Sequence, residues 1–235
     1  MLRYPFTPNK PYTALALNFT FPHFFDKMWD QAKTRVAADG GVNRIHKYFL
    51  EKEINNYKVP DFVGGDFDSV KPDIRKIMES RGSKFIHTEN QDYCDVQKTI
   101  NLIIERKILD PIIIMGGYGG RFDHTAGVLN AALWADKAPI FLLDNTNIMT
   151  WIKPGMKGIE IPQTWTTGKC SLLPLASPVR NIRTSGLKIN LNGPLELGKQ
   201  ISVSNKMTSN SVLIETTDPI LFTCQIPLNP FKNSK

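Results

Sequence analysis

The chain has 235 residues, of which 41% are hydrophobic, and it carries a formal net charge of +7 at pH 7. This length suffices for one large domain or two modest ones, and no apolar run reaches the roughly 18 residues of a transmembrane helix. The lysines and arginines are spread along the sequence without a basic run, so we expect neither a nucleic-acid partner nor membrane association.

The cysteines indicate a reducing compartment. Cys94, Cys170 and Cys224 are odd in number, scattered, and without the spacing of metal ligands. The N-terminal residues also lack the apolar core of a secretory signal. We therefore expect a cytoplasmic protein.

Strand and helix patterns alternate through the first 155 residues, which predicts an α/β domain with an open, mostly parallel sheet. The apolar run Pro111–Met115 is typical of a strand buried on both faces. Apolar residues Val42, Ile45 and Phe49 repeat with helical period. The predicted elements are strand 13–19, helix 24–33, strand 35–38, helix 42–52, a strand near 60–65, helix 72–81, strand 84–88, a polar turn at 89–92, a helix from 95, strand 111–115, a helix ending near 136, and strand 139–144.

The remainder of the chain has a different pattern. Short apolar runs separated by Gly, Pro, Asn and Asp follow one another without a helical period, which predicts an all-β sandwich or barrel. We expect the boundary near 150–160 and assign domains 1–155 and 156–235. The predicted strands are 158–161, 170–175, 187–191, 200–204, 211–215 and 220–226.

Acidic residues follow several of the predicted strands. Asp66 and Asp68 come after an apolar run and two glycines, and in extended chain two residues spaced this way project to the same side. Paired carboxylates at a strand end suit Mg²⁺, and ligands of parallel α/β sheets bind beyond the carboxyl ends of the strands. A simple turn is the alternative, since Gly, Asp and Ser are common turn residues.

Asp92, Asp95 and Lys98 form a second group near the start of a predicted helix. Helix capping with an ordinary surface lysine explains them structurally. The functional interpretation adds carboxylates to the metal centre and places Lys98 on a phosphate. Asp39, which also follows a strand, would be a fifth acid in the same cleft, and so many buried acids require cations.

The stretch Gly116–Gly120 leads into a predicted helix with Arg121 at its start. Its spacing matches neither the Walker A loop nor the dinucleotide fingerprint. Backbone N–H groups of such a turn, together with the fork of an arginine, still suit phosphate oxygens. His124 is placed to contact a nucleotide, although a lone histidine is more often structural.

Together these motifs resemble the thiamin pyrophosphokinase family, in the right order and over nearly the whole chain. The matching stretches are Ala38–Arg44, Gly65–Ser69, Gln91–Lys98 with its acids and lysine, Gly116–His124, Thr184–Lys188 and Val203–Asn205.

The resemblance implies an enzyme that moves the pyrophosphate of ATP onto the hydroxyl of thiamin with the help of Mg²⁺. It also implies a Rossmann-like N-terminal domain, a β-sandwich C-terminal domain, and a homodimer with active sites at the subunit interface. The implied roles are catalysis for Asp39, Asp68, Asp92, Asp95 and Lys98; metal binding for Asp66, Asp68 and Asp95; nucleotide binding for Asn43, Arg44, Gly116, Gly117, Gly119, Gly120, Arg121, Asp123 and His124; and thiamin binding for Ser204 and Asn205.

One position departs from the family. A tryptophan often follows the Gly-Leu-Lys motif, where it would stack on thiamin, and this chain has Ile189 there. Two other functions remain open at this stage: a different Mg²⁺-dependent nucleotide or phosphate transferase with an Asp-x-Asp metal motif, and a nucleotide-binding protein without catalysis.

Overall fold

A computed structural model describes residues 2–3, 10–88 and 92–231. By their contacts, the described residues from 11 to 145 form one compact unit, and those from 146 to 231 form the other together with Leu2, Arg3 and Lys10. None of the described helices combines the length and apolarity needed to cross a bilayer. The elements are β1 (Leu2–Arg3), β2 (Thr13–Ala16), α1 (Phe25–Gln31), β3 (Thr34–Ala38), α2 (Gly41–Glu51), β4 (Phe62–Gly65), α3 (Pro72–Ser80), β5 (Lys84–His87), α4 (Asp95–Glu105), β6 (Ile112–Met115), α5 (Phe122–Trp134), β7 (Ile140–Leu143), β8 (Asn147–Ile152), β9 (Gly155–Glu160), β10 (Lys169–Leu173), β11 (Val179–Ser185), β12 (Asn192–Leu195), β13 (Ser202–Lys206), β14 (Ser211–Thr216) and β15 (Ile220–Gln225).

The first unit is built on a parallel sheet in the order β7-β6-β2-β3-β4-β5. Strands β2, β6 and β7 are buried at every position, as expected of parallel strands covered on both faces. All carboxyl ends therefore lie along one edge of the sheet. The predicted α/β class is confirmed.

Helix limits in this unit follow local signals. Pro72 begins α3 and Gly82 lies just beyond its end with φ +100°, the left-handed conformation that glycine adopts without strain. In α4 the buried residues include Gln97, Lys98 and Thr99 besides apolar residues such as Ile100 and Ile103. This helix is thus more deeply buried near its start than a surface helix, which places the side chain of Lys98 inside the protein.

The second unit contains two sheets. One has the order β1-β9-β14-β11-β12, and the other contains β13-β10-β15-β8. Buried and exposed residues alternate along β14, where Val212, Ile214 and Thr216 face inward. Sheets with one buried face each are the components of a sandwich, so the predicted all-β class is confirmed.

Several predicted strands of this unit differ from the structure. The prediction of a strand at 187–191 is wrong: this stretch is a turn with one isolated bridge, Leu187 to Met207. Strands β8, β11 and β12 were not predicted. β8 is buried from Ile148 to Ile152 instead of alternating, most residues of β11 are polar, and β12 contains Asn, Gly and Pro, which are typical of turns. The predicted polar turn at 89–92 lies outside the described residues except for Asp92. The domain limits 1–155 and 156–235 stay a prediction.

Two helical glycines provide a matched test of this packing. A Cβ added to Gly41, at the start of α2, would lie 2.4 Å from the carbonyl oxygen of Ala16, whereas the nearest neighbour of a Cβ on Gly127 in α5 is Cys94 Sγ at 4.0 Å. We expect Gly41→Ala to lower the free energy of unfolding by about 1–3 kcal/mol through overpacking. Gly127→Ala should raise it by roughly 0.5–1 kcal/mol, since alanine favours the helix. Urea unfolding of both variants measures this; a neutral Gly41→Ala would contradict the close approach of α2 to β2.

Candidate active site

Three acidic residues converge at the carboxyl edge of the parallel sheet. Asp39 follows β3, Asp66 follows β4, and Asp95 begins α4. Each offers a carboxylate oxygen, and these oxygens lie within 4.8 Å of one another; no other such group of acids, histidines and cysteines occurs in the part of the chain that the structure describes. We call Asp39, Asp66 and Asp95 the carboxylate cluster.

Lys98 balances part of the charge of this cluster. Its Nζ lies 3.4 Å from Asp66 Oδ2 and 3.2 Å from Asp95 Oδ1, and only 4% of its side chain is exposed. Three ionised carboxylates and one ammonium leave two net negative charges. That is the charge which one divalent cation neutralises.

The pKa values of these residues follow from burial and from their neighbours. Burial raises the pKa of Asp39 above its ordinary value, although the nearby Gly40 backbone and Ser69 side chain oppose the shift. Burial acts in the same direction on Asp66, but the backbone N–H of Asp68 and the charge of Lys98 outweigh it and lower its pKa. For Lys98, burial is outweighed by Asp95 and Asp66, which raise its pKa. Lys98 is therefore charged at neutral pH.

The backbone at the cluster is held in sparsely populated conformations. Asp39 has φ +41° and Phe67 has φ +68°, both in the left-handed region. The N–H of Asp39 donates to the Gly64 carbonyl at 2.8 Å, and a Cβ on Gly65 would lie 3.0 Å from Asp39 Cβ. A glycine at 65 thus allows the end of β3 to approach the end of β4. The ring of Phe67 packs against Phe85, with centroids 5.3 Å apart, which fixes the turn.

The turn at Phe67 changes the geometry expected for Asp66 and Asp68. The prediction assumed extended chain, in which both side chains project to one side, but the strand ends at Gly65 and Phe67 is left-handed. Asp68 is exposed, lies outside the carboxylate cluster, and accepts a hydrogen bond from Ser69 Oγ at 2.8 Å. Asp39 occupies the corresponding place in the cluster. Its position after the neighbouring strand was the available sequence signal.

One carboxylate oxygen of the cluster lacks a hydrogen-bond partner. Asp39 Oδ1 is buried and accepts no hydrogen bond from any residue in the described ranges. A buried polar atom without a partner is costly unless a ligand satisfies it. Together with the charge excess, this atom fits a bound cation. The donors are all oxygens, which suits a hard ion such as Mg²⁺.

The other predicted acid and the residues near α2 lie at the rim. Asp92 is exposed and is outside the carboxylate cluster. Asn43 holds the loop after β4, because its Nδ2 donates to the Ser69 carbonyl at 2.7 Å and its Oδ1 accepts from the Lys71 N–H at 3.1 Å. Arg44 is half-buried, and its side chain forms no hydrogen bond or ion pair with another described residue. Asn43 therefore positions backbone, while Arg44 keeps its guanidinium available.

The glycine turn, Gly116–Gly120, follows β6 as predicted. A Cβ on Gly116, which has φ +77°, would lie 2.7 Å from the Leu17 carbonyl oxygen, so a side chain there is excluded. Arg121 is exposed and paired with Asp123, Nη2 to Oδ2 at 2.5 Å, which raises its pKa and lowers that of Asp123. His124 is exposed at the start of α5. Gly117, Gly119 and Gly120 complete the turn.

Two further residues at this edge, Asn18 and Phe19, follow β2, carry no recognisable motif and were missed. The rings of Tyr118, within the glycine turn, and Phe122, just after it, have 42% and 83% of their surface exposed. Strand order, rather than composition, is the signal that brings Asn18 and Phe19 to the site. A cavity of about 270 Å³ lies elsewhere in this unit, lined by α4 and α5, and none of the predicted site residues lines it.

The predicted thiamin residues belong to the second unit. Ser204 is exposed and has φ +56°, a strained conformation for a non-glycine residue. Asn205 is buried and clamps the turn at Ile189: its Oδ1 accepts from the Ile189 N–H at 3.2 Å and its Nδ2 donates to the Ile189 carbonyl at 2.8 Å. Ile189 itself is 65% exposed. Asn205 therefore fixes a turn that presents the Ile189 side chain to solvent.

Comparison with known proteins adds to this geometry. The profile of the thiamin pyrophosphokinase catalytic domain matches residues 25–142, and that of the thiamin pyrophosphokinase vitamin B1 binding domain matches residues 158–221. This chain belongs to the thiamin pyrophosphokinase family. Thiamin pyrophosphokinase 1 of Caenorhabditis elegans is 32% identical, with 86% of this chain and 82% of that protein covered.

One further relative and one solved structure match most of the chain. Thiamine pyrophosphokinase 1 of Arabidopsis thaliana is 33% identical over 92% of this chain and 86% of that protein. Among solved structures, thiamin pyrophosphokinase from Candida albicans superposes with a TM-score of 0.81 at 24% identity, over 92% of this chain and 89% of that one. The structural likeness supports the fold. Membership of the thiamin pyrophosphokinase family rests on the profiles and the closer relatives.

The buried charge of Asp39 generates a pH-dependent prediction. A raised pKa in the folded protein gives a stability contribution that is complete below the ordinary value of 3.8 and is lost as the pH rises through the raised value. Without divalent cations, we therefore expect the wild type to lose stability relative to Asp39→Asn as the pH rises from about 4 to 7. Thermal unfolding with a chelator present measures the difference.

The same variant tests cation binding. Mg²⁺ added at pH 7 should raise the melting temperature of the wild type, since a ligand stabilises the state that binds it, and should have a much smaller effect on Asp39→Asn. Asp73→Asn, which removes an exposed carboxylate on α3, is the control and should respond like the wild type. Equal Mg²⁺ responses in all three proteins would exclude Asp39 as a ligand.

Proposed function

We propose that this chain transfers the β,γ-pyrophosphate group of ATP to the primary hydroxyl of thiamin, forming thiamin diphosphate and AMP. A bond forms between the thiamin oxygen and the β-phosphorus, the bond from the β-phosphorus to the oxygen shared with AMP breaks, and the hydroxyl proton is released. The observation that carries the proposal is the carboxylate cluster with its buried Lys98, at the edge where α/β sheets bind ligands. Family membership supplies the substrates.

We propose Mg²⁺ as the cation, held by Asp39, Asp66 and Asp95. All the donors are carboxylate oxygens, and Mg²⁺ is usually bound by one or two of these together with substrate phosphates. When bound, it would supply charge neutralisation at the phosphates. Lys98 holds two of the carboxylates in place and adds positive charge on the same side. Such reactions depend mainly on alignment and electrostatic stabilisation.

Most of the other predicted site residues of the first unit are proposed to bind the nucleotide. Backbone N–H groups of the glycine turn would bind phosphate oxygens. Arg121 would exchange its exposed ion pair with Asp123 for the phosphates, which is favourable because surface ion pairs are weak. The exposed rings of Tyr118 and Phe122 suit an adenine base. Asn43, Arg44 and His124 are also proposed to contact the nucleotide. Asp68 and Asp92 are proposed to take part in catalysis.

In the second unit, Ser204 and the turn fixed by Asn205 are proposed to bind thiamin. The strained backbone at Ser204 supports a functional role, because such conformations persist where the surrounding structure enforces them. Ile189 would offer an apolar surface to the ring in place of a stacking aromatic.

We also propose a homodimer with active sites at the subunit interface, and a cytoplasmic location. The dimer is supported by membership of the family, and light scattering measures the mass directly. The location is supported by the cysteines: Cys94, Cys170 and Cys224 are all free thiols, as expected in a reducing compartment. Fractionation of cells that express the protein tests the location.

Direct product analysis tests the proposed function. The purified protein is incubated with ATP, thiamin and Mg²⁺, and AMP and thiamin diphosphate are separated by chromatography. We expect equal amounts of the two products, dependence on both thiamin and the cation, and loss of both products with excess chelator. Release of ADP or phosphate without thiamin diphosphate would refute this function and favour a different Mg²⁺-dependent transferase.

The exposed Ile189 yields a prediction about thiamin affinity. Ile189→Trp supplies the aromatic ring that this turn lacks, and aromatic stacking contributes about 0.5–1.5 kcal/mol beyond area burial, so the KM for thiamin should fall about 2- to 10-fold. Leu197→Trp, a similarly exposed position on the turn after β12, is the control and should leave the KM unchanged. A KM that is unchanged or raised by Ile189→Trp would contradict the placement of thiamin at this turn.

A further inference from the structure

The segment that follows the central strand β2 lies at the same edge of the sheet as the carboxylate cluster. The chain runs from β2 outward through β3, β4 and β5, and then returns to β6 on the opposite side of β2. The strand order therefore reverses between β2 and β6. Ligands of open α/β sheets bind in the crevice at such a reversal, outside the carboxyl ends of the strands. Asn18 and Phe19 lie directly after β2, at this point.

Asn18 contacts the strand end that carries Asp39. A Cβ on Gly40 would lie 2.5 Å from Asn18 Nδ2 and 3.1 Å from Ser69 Cβ, so the carboxamide rests on the glycine next to Asp39. The side chain is exposed, and none of the described residues forms a hydrogen bond with it. Its donor and acceptor are thus both available to a ligand at the cluster.

The ring of Phe19 lies against the glycine turn, on the side away from Asp39. A Cβ on Gly119 would lie 2.8 Å from the Phe19 ring, and one on Gly120 would lie 2.5 Å from it, so the ring packs on the glycine turn. Asn18 and Phe19 together link the two regions proposed to hold the phosphates. They touch the Asp39 strand end on one side and the glycine turn on the other.

We propose that Asn18 is a substrate-binding residue that donates a hydrogen bond from Nδ2 to a phosphate oxygen of the nucleotide. This inference rests on the proposed function. Adjacent strands lie about 4.8 Å apart, so the ends of β3 and β6 are separated by about 10 Å with β2 between them. A phosphate chain held at the carboxylate cluster and at the glycine turn must cross the end of β2, where Asn18 lies.

A neutral donor suits this position. A lysine here would pair with the carboxylate of Asp39 and compete with the cation, and an acid would repel the phosphates. A carboxamide donates to a phosphate oxygen without either effect. This explains the combination of Asn18 with a glycine at position 40, because a side chain at Gly40 would displace the carboxamide.

The test uses α,β-methylene ATP, in which a carbon bridge replaces the oxygen at the bond to be broken. Its binding with Mg²⁺ is measured by calorimetry for the wild type, Asn18→Ala and Asn18→Asp. Asn56→Ala is the control, since Asn56 is exposed and has no hydrogen bond to a described residue. We expect Asn18→Ala to weaken binding by about 10-fold or more, as for a lost hydrogen bond to a charged group, and Asn18→Asp to weaken it further.

Mn²⁺ binding without nucleotide separates a phosphate contact from damage to the cluster. It should be the same in Asn18→Ala as in the wild type. If Asn18→Ala does not fold, Asn18→Leu, which keeps the branched shape of the side chain without its donor, carries the same expectation. Wild-type affinity for the analogue in the substituted protein would overturn the role of Asn18, while a wild type that still forms thiamin diphosphate would leave the proposed function intact. A wild type that neither binds the analogue nor forms product would overturn both.

Discussion

The site depends on the ion pairs that the buried ammonium group of Lys98 forms with Asp66 and Asp95. An unpaired charge at this depth costs several kcal/mol, and the carboxylates of Asp66 and Asp95 offset that cost. The lysine in turn holds two acids close together that would otherwise repel each other. Asp39 adds a third carboxylate with an unsatisfied oxygen. The carboxylate cluster and Lys98 thus leave this edge of the sheet with a negative charge excess, which the proposed divalent cation would balance.

The parallel sheet makes this arrangement possible by placing all its carboxyl ends at one edge. Small residues then allow the strand ends to come closer than ordinary side chains permit. The absence of a side chain at Gly65 leaves room for Asp39, and its absence at Gly40 leaves room for the Asn18 carboxamide. At Gly41 it allows the start of α2 to pack against the end of β2. The cost appears as left-handed backbone at Asp39 and at Phe67. Ring packing around Phe67 sustains part of that strain.

The sequence predicted those features that local pattern determines. Pro111–Met115 is apolar at every interior position, and the limits of α3 follow from Pro72 and Gly82, so these elements needed no tertiary information. The motifs also predicted that Lys98 and several acids come together, and the structure places Lys98 beside Asp66 and Asp95. Properties that depend on tertiary contacts were out of reach. The turn at Phe67, which separates Asp68 from Asp66, reverses a geometry that regular strand spacing would give.

The order of the strands and the exact strands of the second unit could not be predicted from the sequence either. Nothing in the residues around Asn18 marks them as functional; their place follows from the return of the chain from β5 to β6 across the sheet. In the second unit apolar and polar residues alternate over 187–191 as in a strand, but hydrogen bonds between Asn205 and the Ile189 backbone hold this stretch as a turn. Long-range contacts of this kind cannot be predicted from the periodicity of hydrophobic residues in the local sequence.

The location of a bound cation tests the central claim most directly. Crystals grown with Mn²⁺ and α,β-methylene ATP would give an anomalous signal that marks the ion without assumptions about activity. We predict a peak within bonding distance of carboxylate oxygens of Asp39, Asp66 and Asp95, with the analogue's phosphates on its open side. A well-occupied peak at other residues, with these three carboxylates uncoordinated, would contradict it.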